Sequence, residues 1–386
     1  MHLLLYTNLF PSDEAPRHGI FVEERLRQLK RAGRVSASVC ALRPVVSLNP
    51  LFWLRGSVSA AQHERHGVPV HYVEVPTLPL ISNWIDPWLW AWASKRAVAK
   101  LVAGIDPPVI LDAHFLYPDG AAAVILGRRL GLPVVVTARG SDVNLKARNP
   151  VMRRWIRWVA SRSAAVVTVS VALRDKLVDL GAARDRVTAL PNGVDLDRFS
   201  SGRTRDLREE LDLSGALLAS VGHLVEGKGH HIAIEALKTL DRASLVIVGE
   251  GPERQKLERL AVSLGVASRV RFLGLVDPDE IPGVYSACDL TVLASSNEGM
   301  PNVVLESIAC GTPVVATDVG GVREVLTAPV AGSIIKERSA AALANAARVV
   351  LEAGKDREAT REFARRFDWK NTVAKQLDLY EQVALV

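Results

Sequence analysis

Two carboxylates and the residues around them form the densest concentration of possible chemistry in this chain. Glu298 and Glu306 stand eight positions apart in SSNEGMPNVVLESIACGTPVVATDVGG, residues 295–321, which follows the apolar run LTVLAS. Glu298 falls in a loop. Pro301 suits the first position of the helix that follows, where its missing N–H removes no needed donor. The amides of Gly299, Met300 and Asn302 then lie at a helix start, where free N–H groups and the helix dipole favour an anion. Glu306 is four residues beyond Asn302, so on the same helix face, with a side chain that leans back toward the helix start. A carboxylate so placed can accept hydrogen bonds from hydroxyls such as those of a ribose, with phosphate oxygens on the amides. Spacing alone does not establish this, because two solvated acids at this separation arise readily by chance among 42 acids. The neighbouring residues decide it.

Other strand exits carry similar punctuation. In ASVGHLVEGKGHHIAIEAL an apolar run ends at Val221, Gly222 allows a tight exit, His223 follows, and Lys228 and Gly229 precede a helical segment. SLVIVGEGPE ends at Gly249 and Gly251, but Pro252 follows and no third glycine completes G-x-G-x-x-G, so this pair is weak on its own. In the first half, Gly19 precedes a helical run, PVILDAH ends on His114, and LPVVVTARG leads into Arg139 and Asp142. A lone histidine is most often structural, and Asp142 is equally suited to capping a helix.

The string EGMPNVVLESIACGTPVVATDVGG resembles the Glu-x7-Glu signature of retaining glycosyltransferases of the GT-B fold, the family 4 type. The resemblance runs over nearly the whole chain. It implies transfer of a hexosyl group from a nucleoside diphosphate sugar, a UDP- or GDP-sugar, to a hydroxyl of a saccharide or lipid-linked saccharide. It also implies retained anomeric configuration. No cofactor is expected, and no catalytic metal, since no Asp-x-Asp pair sits at a plausible strand end and cationic groups can do its job. By the same resemblance Glu298 holds sugar hydroxyls near the anomeric carbon and Glu306 holds the ribose. Lys228 neutralises the departing diphosphate, helped by His223, which stands where the family usually has arginine and is charged only part of the time near neutral pH. The Gly249–Gly251 loop lies beside the sugar nucleotide, and residues 272–276, Leu275 among them, lie near the base. Gly19 matches a glycine that lets backbone approach phosphates or sugar, although His18 replaces the family's usual first glycine. His114 matches a histidine that hydrogen-bonds the donor sugar. Arg139, where the family often has histidine, faces acceptor or donor phosphate, with Asp142 either beside the acceptor or a cap. A front-face mechanism, in which the leaving phosphate takes the acceptor's proton, belongs to the same expectation. The run FPSDEAPRHGIFVEE looks like enzymes of bacterial exopolysaccharide, teichuronic acid or O-antigen assembly. Two alternatives stay open: a sugar-nucleotide epimerase of the same fold, and a non-catalytic sugar-nucleotide-binding protein. A retaining glycosidase needs two carboxylates flanking one bond, and only Glu298 is convincingly placed.

These residues need elements to hold them. Short Val/Ile/Leu-rich runs alternate with helical-period segments: HLLLYTN, VSASVCAL, VPVHYVEV, PVILDAH, LPVVVTARG and AAVVTVS, then ALLASVG, SLVIVGEG, RVRFLG, LTVLAS, PVVATD and GSIIKE. This pattern predicts α/β architecture with parallel sheets buried on both faces. The expected layout is GT-B: two Rossmann-like domains facing a central cleft, with ligands beyond the carboxyl ends of the strands. The boundaries read are 1–190 for an acceptor-binding domain, 191–365 for a nucleotide-sugar-binding domain, and 366–386 for a terminal helix packing back on the first. A hinge is expected at 190–202, and FARRFDWKNTVAKQLDLYEQV reads as helix.

At 386 residues the chain exceeds one compact α/β unit. Cys40, Cys288 and Cys310 have no metal-like spacing and read as reduced thiols of a cytoplasmic protein. Net charge is +6 and pI about 9.3, which suits an anionic partner. The basic residues concentrate usefully: between Asp142 and Asp175 there are Lys146, Arg148, Arg153, Arg154, Arg157, Arg162 and Arg174 and no acid, with Trp155 and Trp158 interleaved. Trp84, Trp88, Trp90 and Trp92 cluster just upstream. One reading is a peripheral face for an anionic membrane, on the cytoplasmic side; the other is a domain core beneath a solvated basic face. No nucleic-acid motif accompanies the charge. No run reaches the length of a membrane span.

Overall fold

The computed structural model describes residues 1–46, 63–78, 82–106, 108–200, 207–354 and 356–385. Trp53 and the end of the expected hinge, Ser201 and Gly202, lie outside these residues. Contacts divide the chain into two compact units: one of Met1–Pro191 with Lys370–Val386, the other of Asn192–Trp369.

The first unit holds an eight-stranded sheet: β1 (His2–Thr7), β2 (Ser36–Val46), β3 (His63–Arg65), β4 (Val68–Thr77), β5 (Val109–His114), β6 (Val134–Ala138), β7 (Ala165–Thr168) and β8 (Val187–Ala189), in the order β3-β4-β2-β1-β5-β6-β7-β8. Every pairing is parallel except β3 with β4. The second unit holds six parallel strands: β9 (Ala216–Val221), β10 (Ala243–Val248), β11 (Val270–Gly274), β12 (Leu290–Leu293), β13 (Val314–Thr317) and β14 (Gly332–Ile335), in the order β11-β10-β9-β12-β13-β14. Every apolar run named above forms a strand. Both sheets have helices on their faces, which is why β1, β5 and β10 are buried at every residue.

Two strands carry no apolar signature. β3 is the polar triplet HER, paired with β4 through His66 and Gly67, whose φ values of 50° and 72° give the doubly left-handed turn that matches strand twist. β8 is only VTA.

Strand order reverses direction between β1 and β5 in the first sheet and between β9 and β12 in the second. These are the points where an open parallel sheet leaves a crevice at its carboxyl edge. In the second unit the sheet packs against an apolar layer that includes Leu218, Ile247, Leu290, Val292 and Val315.

Two expectations need correction. Pro301 is the N-cap, extended at φ −79° and ψ 99°, and Asn302 opens the helix Asn302–Ala309. The expected terminal helix is broken: Arg357–Ala364 ends, Arg365–Phe367 makes a 3-10 turn, and a new helix runs Trp369–Ala384. The break exists because Asp368 is extended and bridges Val194, while Val194 N donates to Phe367 O at 2.9 Å. Among the described residues no helix is long and apolar enough to cross a membrane.

Candidate active site

In the second unit the loops leaving β9 and β12 are laced together. Ser296 N, after β12, donates to Gly227 O at 2.8 Å. Arg338 ties the same loops, donating from Nε to Ala294 O at 2.8 Å and from a terminal nitrogen to Glu226 O at 3.0 Å. This brings Lys228 Nζ within 2.7 Å of Glu298 Oε1, and Ser295 Oγ donates to that same oxygen at 2.7 Å. A cation and a carboxylate 70 positions apart in sequence therefore meet at the sheet's reversal point.

The backbone around Glu298 is held from its other side. Gly321 N donates to Gly299 O at 2.9 Å, and a Cβ on Gly320 would stand 2.2 Å from Glu298 O. Gly299 and Met300 are buried, and the helix beyond opens with Asn302, whose Oδ1 accepts from Asn192 Nδ2 at 2.8 Å. One turn on, Glu306 Oε2 accepts from the hydroxyl of the buried Tyr285 at 2.9 Å. Glu298 thus stands in the loop before one short helix and Glu306 in its body.

On the neighbouring strand exits, Gly222 N donates to Val248 O and Gly249 N to Gly274 O. Gly249 and Gly251 serve close packing: a Cβ on Gly249 would lie 2.0 Å from Gly222 O, and one on Gly251 2.5 Å from Leu224 O. His223 is exposed at this edge. Behind it the buried His230 bonds to Ser220 Oγ through Nδ1 at 2.8 Å and to His223 O through Nε2 at 3.3 Å. Since a carbonyl only accepts, Nε2 carries the proton and Nδ1 accepts from the serine. Burial pushes the His230 imidazole down to about 4, so it stays neutral. Leu275, at the end of β11, is 58% exposed, unusual for a leucine beside a core.

In the first unit Gly19 is left-handed at φ 75° and opens the helix Ile20–Arg31. A Cβ there would sit 2.2 Å from Leu9 O, so its missing side chain admits the chain's own backbone. His114, at the end of β5, is 2% exposed with both ring nitrogens engaged. Arg139 donates to Nδ1 from Nε at 3.1 Å and from a terminal nitrogen at 2.6 Å. Guanidinium cannot accept, so Nδ1 is the bare nitrogen and Nε2–H points at Asp112 Oδ2, 3.3 Å away. Burial first and Arg139 second hold the imidazole down to about 4. The same Asp112 oxygen accepts from Tyr380 OH at 2.9 Å; Gln376 donates to Tyr380, and Arg25 Nε donates to Gln376 at 2.6 Å. His114 is therefore an internal link between Asp112 and Arg139 in this structure. Arg139 is itself 9% exposed and is held down to about 9 by burial.

Asp142 turns inward. Fully buried, it accepts from the amides of Leu116 at 3.0 Å, Arg139 at 3.2 Å, Gly140 at 2.8 Å and Val143 at 3.1 Å. It is the second residue of the short helix Ser141–Asn144, whose N-cap is Gly140, and it gathers the amides around that helix start.

Comparison with known proteins bears on this geometry. The model of "Glycosyl transferases group 1" matches residues 205–367, and that of "Glycosyltransferase Family 4" matches residues 51–198. TuaC of Bacillus subtilis (strain 168), a glycosyltransferase named for teichuronic acid biosynthesis, is 31% identical over 99% of this chain and 94% of its own. The chain belongs to the family 4 glycosyltransferases. A D-inositol 3-phosphate glycosyltransferase of Salinispora tropica is 34% identical over 80% of this glycosyltransferase and 71% of its own chain. Solved structures show the shared GT-B fold: a sucrose-phosphate synthase of Thermosynechococcus elongatus (TM-score 0.77, 20% identity, covering 99% of this chain and 98% of that one) and Anabaena HepE with UDP-glucose (TM-score 0.75, 21% identity, 100% and 99%).

Four side chains of this glycosyltransferase carry geometry that its motifs do not announce. Ser295 braces Glu298, Tyr285 braces Glu306, His230 holds the His223 carbonyl, and Asp112 fixes the His114 tautomer. His230 sits inside GKGHH and Asp112 two residues before His114, so adjacency to a motif is a usable signal for both. Tyr285, 21 residues from Glu306, has none.

Proposed function

We propose that this glycosyltransferase moves a hexosyl group from a nucleoside diphosphate sugar, a UDP- or GDP-sugar, to a hydroxyl of a saccharide or lipid-linked saccharide, with retention. The observation that carries this reading is the meeting of Lys228, Glu298 and the start of helix Asn302–Ala309 at the sheet's reversal point. A diphosphate placed there takes its charge compensation from Lys228, from exposed His223 and from the amides that open the helix. Leaving-group charge that builds during transfer meets donors already in place, which is where electrostatic catalysis is strongest. Glu298 accepts from sugar hydroxyls once Lys228 turns to phosphate, Glu306 accepts from the ribose, and exposed Leu275 covers the base. The charge is carried by side chains and amides, so the reading asks for no metal. The nucleotide in the HepE structure is in keeping with such a donor.

Arg139 is assigned to an acceptor or donor phosphate. Its anchorage on His114 fixes the guanidinium plane. The reading also includes work at an anionic membrane face, supported by exposed tryptophans and arginines on the first unit.

The test is thermal-shift binding with UDP, GDP, ADP and their common sugar conjugates, beside Glu306→Ala. A ligand that binds only the folded state raises the unfolding midpoint. One nucleotide should raise it clearly and lose most of that effect in the variant. No shift with any nucleotide at millimolar concentration would sink the donor site. Conversion of the bound donor without any acceptor would favour an epimerase instead.

A further inference from the structure

Glu306 is one of the few charged side chains at the proposed donor site, and its oxygen Oε2 is held by a residue outside every motif. Tyr285 comes from helix Ile281–Ala287, has no exposed surface, and donates its hydroxyl to that oxygen at 2.9 Å. The tyrosine is itself anchored through its backbone. Thr312 Oγ1 donates to its carbonyl at 2.7 Å, and Cys288 N donates to the same carbonyl at 3.1 Å. Burial first, and the Glu306 carboxylate next, push the phenol well above its ordinary range, so the hydroxyl keeps its proton and remains a donor.

A glutamate side chain has three torsions and loses rotamer freedom when a ligand fixes it. A hydrogen bond already made to one oxygen removes much of that freedom before the ligand arrives, and preorganisation of this kind improves affinity. We propose that Tyr285 is a positioning residue for nucleotide recognition: it fixes the plane of the Glu306 carboxylate so that vicinal ribose hydroxyls meet a preset acceptor. The proposal rests on the reading of Glu306 as the ribose ligand. It assigns ribose selectivity to a pair of residues, one of which never touches the nucleotide.

The experiment is a double-mutant cycle read as a selectivity ratio. Dissociation constants for UDP and 2′,3′-dideoxy-UDP are measured by calorimetry on the full chain as wild type, Tyr285→Phe, Glu306→Ala and the double variant. If the panel above selects another base, its diphosphate pair replaces these. Phenylalanine keeps the ring and removes only the hydroxyl. Tyr285→Phe should weaken UDP on the order of tenfold, the scale of one charge-assisted hydrogen bond, and leave the dideoxy form nearly unchanged, so the ratio collapses. Glu306→Ala should collapse it equally, and adding Tyr285→Phe should change nothing further. A lost ratio in Glu306→Ala with a wild-type ratio in Tyr285→Phe would overturn the positioning role alone. A wild-type ratio in Glu306→Ala would overturn the ribose reading and this proposal with it. Equal weakening of both ligands by Tyr285→Phe, in both backgrounds, would mark the tyrosine as packing only.

Discussion

Asp119 shows how far a single residue departs from what its type suggests. It has no exposed surface, follows β5 by five residues, and its Oδ1 accepts from Asn8 N in the loop after β1. It thereby clasps the two loops at the first sheet's reversal point. Burial raises its carboxyl to about 7, with the Asn8 bond and Lys146 opposing only in part. In the unfolded chain the same group titrates near 4. Between those values the folded state binds a proton that the unfolded state does not, so stability falls as pH rises from about 4 to about 7 and levels off above. Asp119→Asn keeps an oxygen for the Asn8 amide and cannot ionise. Denaturant unfolding of both proteins should show the variant gaining about 2 kcal/mol on wild type between pH 5 and pH 7.5. Comparing the two cancels the contributions of Asp86, also raised to about 7, and of the buried histidines. A gap that does not move with pH would mean that Asp119 stays ionised in the fold.

At the level of elements, the strand exits of the second unit depend on glycines that let loops lie on one another. Gly249 sits at φ 132° with room for no side chain against Gly222 O. Gly249→Ala combines an unfavourable backbone angle with a clash against backbone, and should cost about 3 kcal/mol or more. It should weaken nucleoside diphosphate binding too, because the turn at Gly222 must shift. Gly227→Ala is the control in the same crevice, since its Cβ would meet only Ser296 Oγ at 3.4 Å; its unfolding free energy should stay near wild type. Equal losses in both would mean that packing at Gly222 is not what makes position 249 sensitive. These elements were largely legible beforehand. Continuous apolar runs such as SLVIV identify doubly buried parallel strands, and a loop-proline-helix run identifies a helix start to within one residue. What was not legible depends on tertiary partners. HER pairs as β3 only because β4 offers an edge; Asp368 leaves helical geometry only because Val194 lies beside it. Asp142 and His114 are polar residues at strand exits, where sequence suggests a ligand. In the fold the first accepts from four amides and the second bonds Asp112 and Arg139, partners that no local pattern names.

The molecule as a whole carries a net charge of +6, and how that charge is spread says more than its size. In the first unit the helix Ser82–Val102 presents Trp84, Trp88 and Trp92, exposed by 63%, 51% and 40%, on a single stripe four residues apart. Trp88 meets Trp155 of helix Pro150–Arg162 edge to face at 6.1 Å, and Trp155 meets Trp158 at 5.4 Å. On these two helices Lys95, Arg96, Lys100, Arg153, Arg154, Arg157 and Arg162 are exposed, and the only acid on either helix, Asp86, is buried. Trp90, 2% exposed, is core; the other three on that helix keep much of their ring surface exposed and would suit the interfacial layer of a bilayer, where an amphipathic ring is stable. Each cation near an anionic surface adds about 1 kcal/mol, screened within a Debye length. Sedimentation with phosphatidylcholine vesicles should therefore capture little protein, and vesicles enriched in phosphatidylglycerol should capture much of it, less as salt rises. Replacing Trp84, Trp88 and Trp92 together by Ala should lower capture at every salt concentration, because apolar burial is unscreened. Replacing Arg153, Arg154 and Arg157 by Glu should act most at low salt. Capture unchanged in both variants would remove the membrane face. A large loss of stability in the tryptophan variant, with capture intact, would return those rings to the core.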